Sequence, residues 1–360
     1  MNTLTSRLSQ ASKHQLFWPV VVLVGLLAVN ALYRPSFLGV EMKDGHLYGS
    51  LIDIVRLSAP LILVAVGMTL VIATGGIDLS VGSVASISGA IACLHISQQP
   101  DQNALSVVLV ALALGIGLSL VAGTWNGMLV AGIGIQPIIA TLILMVAGRG
   151  LAQLITSGQI ITINSSPYRT IGVGYWLTLP VSIFIAIAVV ALVSVVTRRT
   201  ALGVIIEAVG GNAEASRLAG IRSRRIILLV YVICGVCAGL AGFMLTADVS
   251  SANGNAVGLW VELDAILAVV IGGTALSGGR FSLSGTVLGA LIIQTLTTTV
   301  YAMNITPQTS LLFKALVVIA VCLIQAPAFR AKFTRRRPAA PLPPPQATAS
   351  GQDQKVEVPA

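Results

Sequence analysis

Long runs of apolar residues, interrupted by short polar segments, recur along the whole chain. Nearly all of these runs are long enough to cross a hydrocarbon core of roughly 30 Å, which takes about 20 apolar residues in a helix. The pattern therefore predicts ten transmembrane helices. They cover approximately residues 16–33, 57–74, 79–97, 104–131, 136–156, 177–196, 226–247, 263–276, 282–301 and 309–327.

The composition supports a chain that lies within lipid. Hydrophobic residues make up 56% of the sequence and charged residues 9%, whereas charged residues are about 25% of a typical soluble domain. Backbone groups in lipid must be satisfied within the segment, which favours helices, and a membrane barrel would show alternating strands of about 10 residues instead. We predict an all-α integral membrane protein, a polytopic bundle of about ten transmembrane helices. Glycine pairs such as Gly235 and Gly239 predict close helix packing.

The net charge of +9 lies in loops and the C-terminal segment. It therefore indicates orientation in a membrane, and no nucleic acid is expected as a partner. With the N-terminus in the cytoplasm, the inner segments hold fifteen lysines and arginines and the outer segments four, which is the usual excess on the cytoplasmic side. Three regions follow: a cytoplasmic tail (1–15), a transmembrane domain (16–327), and a Pro-rich cytoplasmic tail (328–360) predicted to be disordered.

Two glycine-rich motifs interrupt the apolar pattern. Both read G-G-x-x-L-S-x-G, and they begin at the pairs Gly75-Gly76 and Gly272-Gly273. A glycine pair ends a helix because it permits positive φ, and Asp78 or Ser80 could then cap the helix that follows the first pair. Such breaks can expose backbone dipoles to a polar solute, or they can be ordinary tight turns. The similarity of the two motifs also raises the hypothesis of a parallel internal repeat.

Polar residues are few within the predicted spans. They can line a path for a hydroxyl-rich solute, since polar side chains in a membrane tend to face the protein interior or water. They can also serve only as hydrogen bonds between helices. The candidates for the path are Asp78, Asn126, Gln136, Thr141, Arg149, Gln153 and Gln294.

The loop formed by residues 197–225 is the longest predicted cytoplasmic loop. Its sequence predicts one short helix from Ala201 to Val209, a break at Gly210-Gly211, and a second helix capped by Asn212 and ended by Gly220. A pair of short helices suits docking into the groove of a partner. The alternative is an Arg-rich loop that only fixes orientation.

Motifs for catalysis and for nucleotide binding are absent from the sequence. It contains no G-x-x-x-x-G-K-[ST] loop, no H-E-x-x-H and no G-x-S-x-G. We therefore expect no catalytic residue, no metal site and no cofactor bound by this chain. Cys234 and Cys237 form a C-x-x-C in an apolar run, where small buried side chains are the expected role. The energy for any transport must come from a partner or an ion gradient.

Four segments resemble the permeases of bacterial ATP-binding-cassette importers for ribose, xylose, arabinose, galactose and related sugars. Residues 258–273 and 141–165 are most similar to galactofuranose-transporting members. The resemblance covers roughly residues 18–328 and is carried by GMTLVIATGGIDLSVGSV (67–84), GTWNGMLVAGIGIQPIIATLILMVAGRG (123–150), ALGVIIEAVGGNAEASRLAGI (201–221) and LDAILAVVIGGTALSGGRFSLSGTVLGALI (263–292).

The resemblance implies a transport subunit of the bacterial inner membrane that moves a monosaccharide, galactofuranose or a related sugar. It implies three kinds of protein partner: ATPase subunits that bind ATP, a periplasmic sugar-binding protein, and a second permease chain, either identical or a sister permease. The family's ATPase-coupling loop corresponds here to Glu207, Gly210, Asn212, Ala215 and Gly220. The alternative function is an ion-coupled secondary sugar carrier, which the lack of acidic residues in mid-membrane disfavours.

Overall fold

The computed structural model describes residues 16–303 together with Thr309, Leu312, Ala315, Leu316 and Ile319. Apart from those five positions, the tenth predicted span (309–327) lies outside the described residues. The predicted tails 1–15 and 328–360 lie outside them as well. The described part is mostly helical.

Twelve α-helices occur in the described residues. In chain order they are α1 Phe17–Tyr33, α2 Ser50–Ala73, α3 Val81–Ser97, α4 Leu105–Gly127, α5 Pro137–Ile155, α6 Ser166–Val173, α7 Val181–Arg199, α8 Leu202–Gly211, α9 Ala213–Leu218, α10 Ser223–Val249, α11 Val261–Ile271 and α12 Leu283–Ala302. A 3₁₀ turn follows α1 at Pro35–Leu38, and α4 continues as a π-helix through Met128–Ile133.

Three short antiparallel strand pairs lie in the connections between helices. Strand β1 (Glu41–Lys43) pairs with β2 (His46–Tyr48), and β4 (Tyr175–Trp176) pairs with β5 (Leu179–Pro180). Strand β3 (Ile161–Thr162) pairs with the distant β6 (Ser251–Ala252). The ends of the bundle thus differ. We call the end with these strands the hairpin end, and the end with the arginine-rich residues 197–225 the basic end.

Six helices are long and apolar enough to cross a membrane: α2, α4 with its π-helical extension, α5, α7, α10 and α12. Helices α1 and α3 are also apolar but have 17 residues each. Most boundaries lie within a few residues of the prediction. The largest shift at a helix start is in α2, which begins at Ser50 rather than at residue 57. Within this earlier part of the helix, Arg56 forms an ion pair with Asp248 of α10.

Helices α2 and α10 occupy the centre of the bundle. From Ala59 to Ala73, α2 is almost entirely buried. Small residues let α10 approach its neighbours, since a Cβ atom at Gly242 would overlap the carbonyl oxygen of Ala85 and one at Gly235 would lie 2.6 Å from that of Ser119. The glycines of α10 therefore serve packing within the chain.

The predicted span 263–276 is not a complete crossing. Helix α11 has 11 residues, a length of about 16 Å at 1.5 Å per residue. Residues 253–260, which we call the re-entrant segment, precede it and pack between helices: Gly254 lies against Ala152 of α5, and Gly258 against Gly82 of α3. A glycine-rich strip of non-helical chain therefore replaces the first half of this crossing.

Candidate functional site

Both glycine pairs end helices as predicted. Gly75 follows α2 with φ +82°, and Gly273 follows α11 with φ +89°, values that glycine adopts without strain. The other glycine of each pair serves close packing. A Cβ at Gly76 would lie 2.7 Å from the hydroxyl of Tyr231, and one at Gly272 would lie 2.5 Å from the carbonyl oxygen of Gly285. The helix breaks are therefore fixed by both conformation and space.

Asp78 is buried in the first break and accepts several hydrogen bonds. Its Oδ1 accepts from the backbone N–H of Ser80 at 2.9 Å and from the Ser80 hydroxyl at 2.6 Å. Asn126 of α4 donates from Nδ2 to the Ser80 hydroxyl at 2.8 Å and to Asp78 Oδ1 at 3.3 Å. Of the two predicted cap residues, Ser80 occupies the cap position of α3. Asp78 and Asn126 together tie the break to α4.

The two predicted helices of the loop at the basic end are α8 and α9. Asn212 caps α9, since its Oδ1 accepts from the backbone N–H of Ala215 at 2.9 Å, and Gly220 has φ +86° after the helix ends. An ion pair with Arg217 lowers the pKa of Glu214 on the surface of α9. The break between the two helices lies at Asn212, one residue after the predicted Gly210-Gly211, because both glycines are the last residues of α8.

Helix α8 is seated on both glycine-rich breaks. A Cβ atom at Gly210 would overlap the carbonyl oxygen of Ala73, the last residue of α2, and would lie 2.7 Å from the nitrogen of Gly279. The N–H of Gly279 donates to that same Ala73 oxygen at 2.9 Å. A Cβ at Gly278 would lie 2.9 Å from the nitrogen of Gly75. The loop helix and the two G-G-x-x-L-S-x-G motifs therefore meet at one point.

The opposite surface of α8 and α9 is open. Val204 of α8 is 72% exposed and Leu218 of α9 is 76% exposed. Glu207 and Arg198 line an open groove of about 260 Å³ beside Val204. Large apolar side chains beside arginines on short helices outside the bundle suit contact with another protein.

Two of the polar residues predicted on the path hold the re-entrant segment. Arg149 of α5 donates from Nη1 to the carbonyl oxygens of Val257 (2.5 Å) and Gly254 (3.3 Å). Its Nη2 donates to the oxygen of Gly258 at 3.4 Å. On the same helix, the Gln153 side chain donates to the side-chain oxygen of Asn255. Helix α5 thus positions this segment with a guanidinium and an amide.

The remaining predicted path residues lie elsewhere. Thr141 donates to the oxygen of Pro137 in its own helix at 2.9 Å and to that of Ile77 at 3.2 Å, so it joins α5 to the first break. Gln136 is exposed at the start of α5, and Gln294 is half-buried on α12. The structure brings Asp78, Asn126 and Thr141 to one region, and Arg149 and Gln153 to another.

Sequence reasoning missed the chemistry at the start of α11. Trp260 has φ +65° and is 52% exposed, and Glu262 is 5% exposed. Residues 248–262 fall between the predicted spans 226–247 and 263–276, so the sequence places them in an outer loop. The packing of the re-entrant segment between α3 and α5 depends on Gly82 and Arg149, which are far away in the chain.

A family model and several known proteins match most of the chain. The family described as "Branched-chain amino acid transport system / permease component" matches residues 50–322. The galactofuranose transporter permease protein YtfT of Escherichia coli K12 is 49% identical over 88% of this chain and 93% of its own length. The fructose import permease protein FruF of Bifidobacterium longum is 42% identical over 87% of this chain and 88% of its own. The ribose import permease protein RbsC of Escherichia coli K12 is 36% identical over 85% of this chain and 92% of its own. No solved structure matches the chain.

Proposed function

This chain belongs to the family of branched-chain amino acid transport system permease components, and we propose that it is the membrane-spanning permease subunit of an ATP-driven monosaccharide importer. The observation that carries the proposal is the seat of α8 on both glycine-rich breaks. An energy-coupling loop must touch the elements that it moves, and α8 contacts the last residue of α2 and the loop after α11 directly.

A sugar is the proposed solute. The family's description mentions branched-chain amino acids, but the similar relatives are named for galactofuranose, fructose and ribose. Galactofuranose is the first choice because the relative named for it is 49% identical over nearly the full length of both chains. Transport leaves the sugar chemically unchanged, so this subunit is not an enzyme in the proposal.

ATP is bound and hydrolysed by partner subunits in this account. These ATPase subunits dock on the open surface of α8 and α9, where Val204 and Leu218 are available as apolar anchors. Closure of the ATPase pair then displaces α8, and the displacement reaches the two breaks through Gly210. The breaks switch the helices between two access states, because packed interfaces shift between discrete arrangements.

The proposed orientation places the basic end in the cytoplasm, since Arg198, Arg199, Arg222, Arg224 and Arg225 all lie there. About ten crossings of the bacterial inner membrane are proposed, with α11 and its re-entrant segment counted as one. A second permease chain, identical or a sister, completes the pathway. A periplasmic sugar-binding protein docks at the hairpin end, which includes residues 157–176 and the exposed part of 248–252.

The proposed sugar path follows α5 and the re-entrant segment. Gln153 and Asn255 supply two amides there, and Arg149 holds the backbone of the segment in place. Asp78 is 1% and Asn126 0% exposed, so neither side chain can reach a solute directly. They support the path by holding the first break in place. This division assigns solute contact to one group of polar residues and structural support to the other.

Reconstitution tests the proposal. Radiolabelled galactofuranose, fructose and ribose would be offered to proteoliposomes that contain this chain, its candidate ATPase and a binding protein. Uptake that requires both partners and ATP supports the importer, and the preferred sugar identifies the substrate. Uptake by the chain alone that follows an ion gradient contradicts the importer and establishes a secondary carrier.

A further inference from the structure

The backbone of Trp260 is held in an unfavourable conformation. Trp260 occupies the cap position of α11 with φ +65° and ψ +4°, in the left-handed region. Bulky side chains rarely adopt this region, and cap residues usually have an extended backbone. A residue in such a strained backbone conformation is kept only where contacts around it outweigh the strain. Strained residues of this kind are frequent at binding sites and switches. The conformation therefore directs attention to what surrounds Trp260.

Side chains and backbone of α3 and α5 hold the backbone of the re-entrant segment in place. Arg149 donates to the carbonyl oxygens of Gly254, Val257 and Gly258, so three of the six residues before Leu259 are fixed by one guanidinium. Gly258 has φ +67° and packs against Gly82 of α3. A Cβ atom added at Gly82 would overlap the carbonyl oxygen of Gly258. These contacts hold the backbone on the α3 and α5 side.

The indole of Trp260 is left 52% exposed. Its depth argues against a role as a lipid anchor. Helix α11 runs 11 residues from Val261 to Ile271, next to the break at the basic end, so Trp260 lies about 16 Å from that break. In the proposed orientation that break lies at the cytoplasmic boundary of the membrane, which places Trp260 near the middle of a hydrocarbon core of about 30 Å. Tryptophans that face lipid are concentrated at the two interfaces instead.

Polar side chains occur on the same segment. Asn255, five residues before Trp260, is exposed and accepts from Gln153 of α5, and polar side chains of a membrane protein tend to face water or the protein interior rather than lipid. Glu262, two residues after Trp260, is 5% exposed, and its carboxylate lies against Gly82 of α3, on the buried side of the segment. An exposed aromatic face and two amides thus occur on and beside one short segment.

We propose that the re-entrant segment is a contact site for the transported sugar, in which the sugar ring stacks on the indole of Trp260. A monosaccharide has an apolar face of C–H groups that packs on an aromatic ring, and hydroxyls that bond to amides. Sites for small polar molecules combine these two kinds of group. Trp260 takes the C–H face, and Asn255 and Gln153 take hydroxyls. The inference rests on the proposed function and assigns its substrate contacts.

The test is ATP-dependent uptake by the complete complex carrying Trp260→Leu or Trp260→Phe. Trp125 of α4 supplies a matched control, because it has the same 52% exposure in a wholly apolar groove with Leu118, Val121 and Ile143. We expect Trp260→Leu to reduce uptake tenfold or more, Trp260→Phe to retain most of it, and Trp125→Leu to stay within twofold of the wild type. Equal uptake by Trp260→Leu and Trp125→Leu overturns the inference.

Two further measurements keep the test decisive if Trp260→Leu fails to assemble. Asn255→Ala alters an exposed side chain and should also lower uptake. Unchanged uptake counts against the proposed sugar-contact site. The introduced thiol of Trp260→Cys should react with a water-soluble maleimide and be protected by saturating sugar. Reaction only with a lipid-soluble reagent places residue 260 against lipid and overturns the inference. If the wild type shows no ATP-dependent uptake, the proposed function itself has failed.

Discussion

Gly210 and Ala73 touch backbone to backbone, with no room for a side chain between them. Gly210 is next to last in α8, and Ala73 is the last residue of α2. The Ala73 oxygen also accepts from Gly279, in the loop that follows α11. One carbonyl group therefore joins a loop helix to two interrupted crossings. Any displacement of α8 is passed to both breaks without a flexible side chain in between.

Replacement of Gly210 by alanine should impair coupling. The added methyl overlaps the Ala73 oxygen, so α8 must move away from α2. We expect ATP-dependent uptake to fall tenfold or more while the protein still inserts in the membrane. Uptake assays on proteoliposomes with matched protein content measure the effect.

Gly211→Ala is the control for that variant. Gly211 is the next residue of the same helix, and a Cβ there meets nothing within 4 Å. Alanine in a helix is favoured over glycine by roughly 0.5–1 kcal/mol, so this variant should transport normally. Equal uptake by the two variants would refute the coupling role of the Gly210 contact.

Charge on the open surface of the loop should weaken binding of the ATPase subunits. Val204→Asp replaces a 72% exposed apolar side chain on α8. Burial of such a side chain is worth about 1.5–3 kcal/mol, so the Kd should rise about 10- to 100-fold. Co-purification and a binding titration measure the change. Leu177→Asp, 72% exposed at the hairpin end, should leave the affinity unaltered, and a comparable loss there would contradict the docking surface.

Asn126→Ala should destabilise the fold. Asn126 donates to the buried Asp78 carboxylate and to Ser80, and its loss leaves a buried acceptor underpaired. The expected cost is about 1–3 kcal/mol of the free energy of unfolding. Thermal unfolding in detergent measures it, with Gln136→Ala as the exposed control, expected within about 0.5 kcal/mol of the wild type. Unchanged stability of Asn126→Ala would argue that this pair faces solute instead.

Gly82→Ala should disturb the re-entrant segment. The new Cβ overlaps the oxygen of Gly258 and the Glu262 carboxylate, so the segment must shift from α3. We expect uptake to fall at least tenfold. Gly117→Ala on α4 is a suitable control, since a Cβ there meets nothing within 4 Å. Normal uptake by Gly82→Ala would mean that the position of the segment is unimportant for transport.

The ion pair on α9 should not cause pH dependence near neutrality. Arg217 lowers the folded pKa of Glu214 below its ordinary value of 4.5. A lowered folded pKa gives stabilisation that is present above the unfolded pKa and is lost as pH falls through the folded value. From about pH 6 to 8 the pair stays ionised, so uptake by Glu214→Gln should run parallel to the wild type across that range. A titration in this range that is lost in Glu214→Gln would contradict the assignment.

Local signals in the sequence predicted most of the helices and the α9 cap. Apolar runs set α4, α5 and α10, and Asn212 has the cap geometry that its position predicted. The signals failed where tertiary contact decides the structure. Gly210 reads locally as a helix breaker, yet it serves the close approach to Ala73. The re-entrant segment reads as an external loop, because its packing depends on Arg149, more than a hundred residues away.

Uptake of radiolabelled galactofuranose by the reconstituted complex tests the central claim most directly. The account predicts accumulation only when this chain, its ATPase subunits, the binding protein and hydrolysable ATP are all present. It also predicts that omission of any one of them abolishes accumulation. Accumulation by this chain alone in response to an ion gradient would contradict the account.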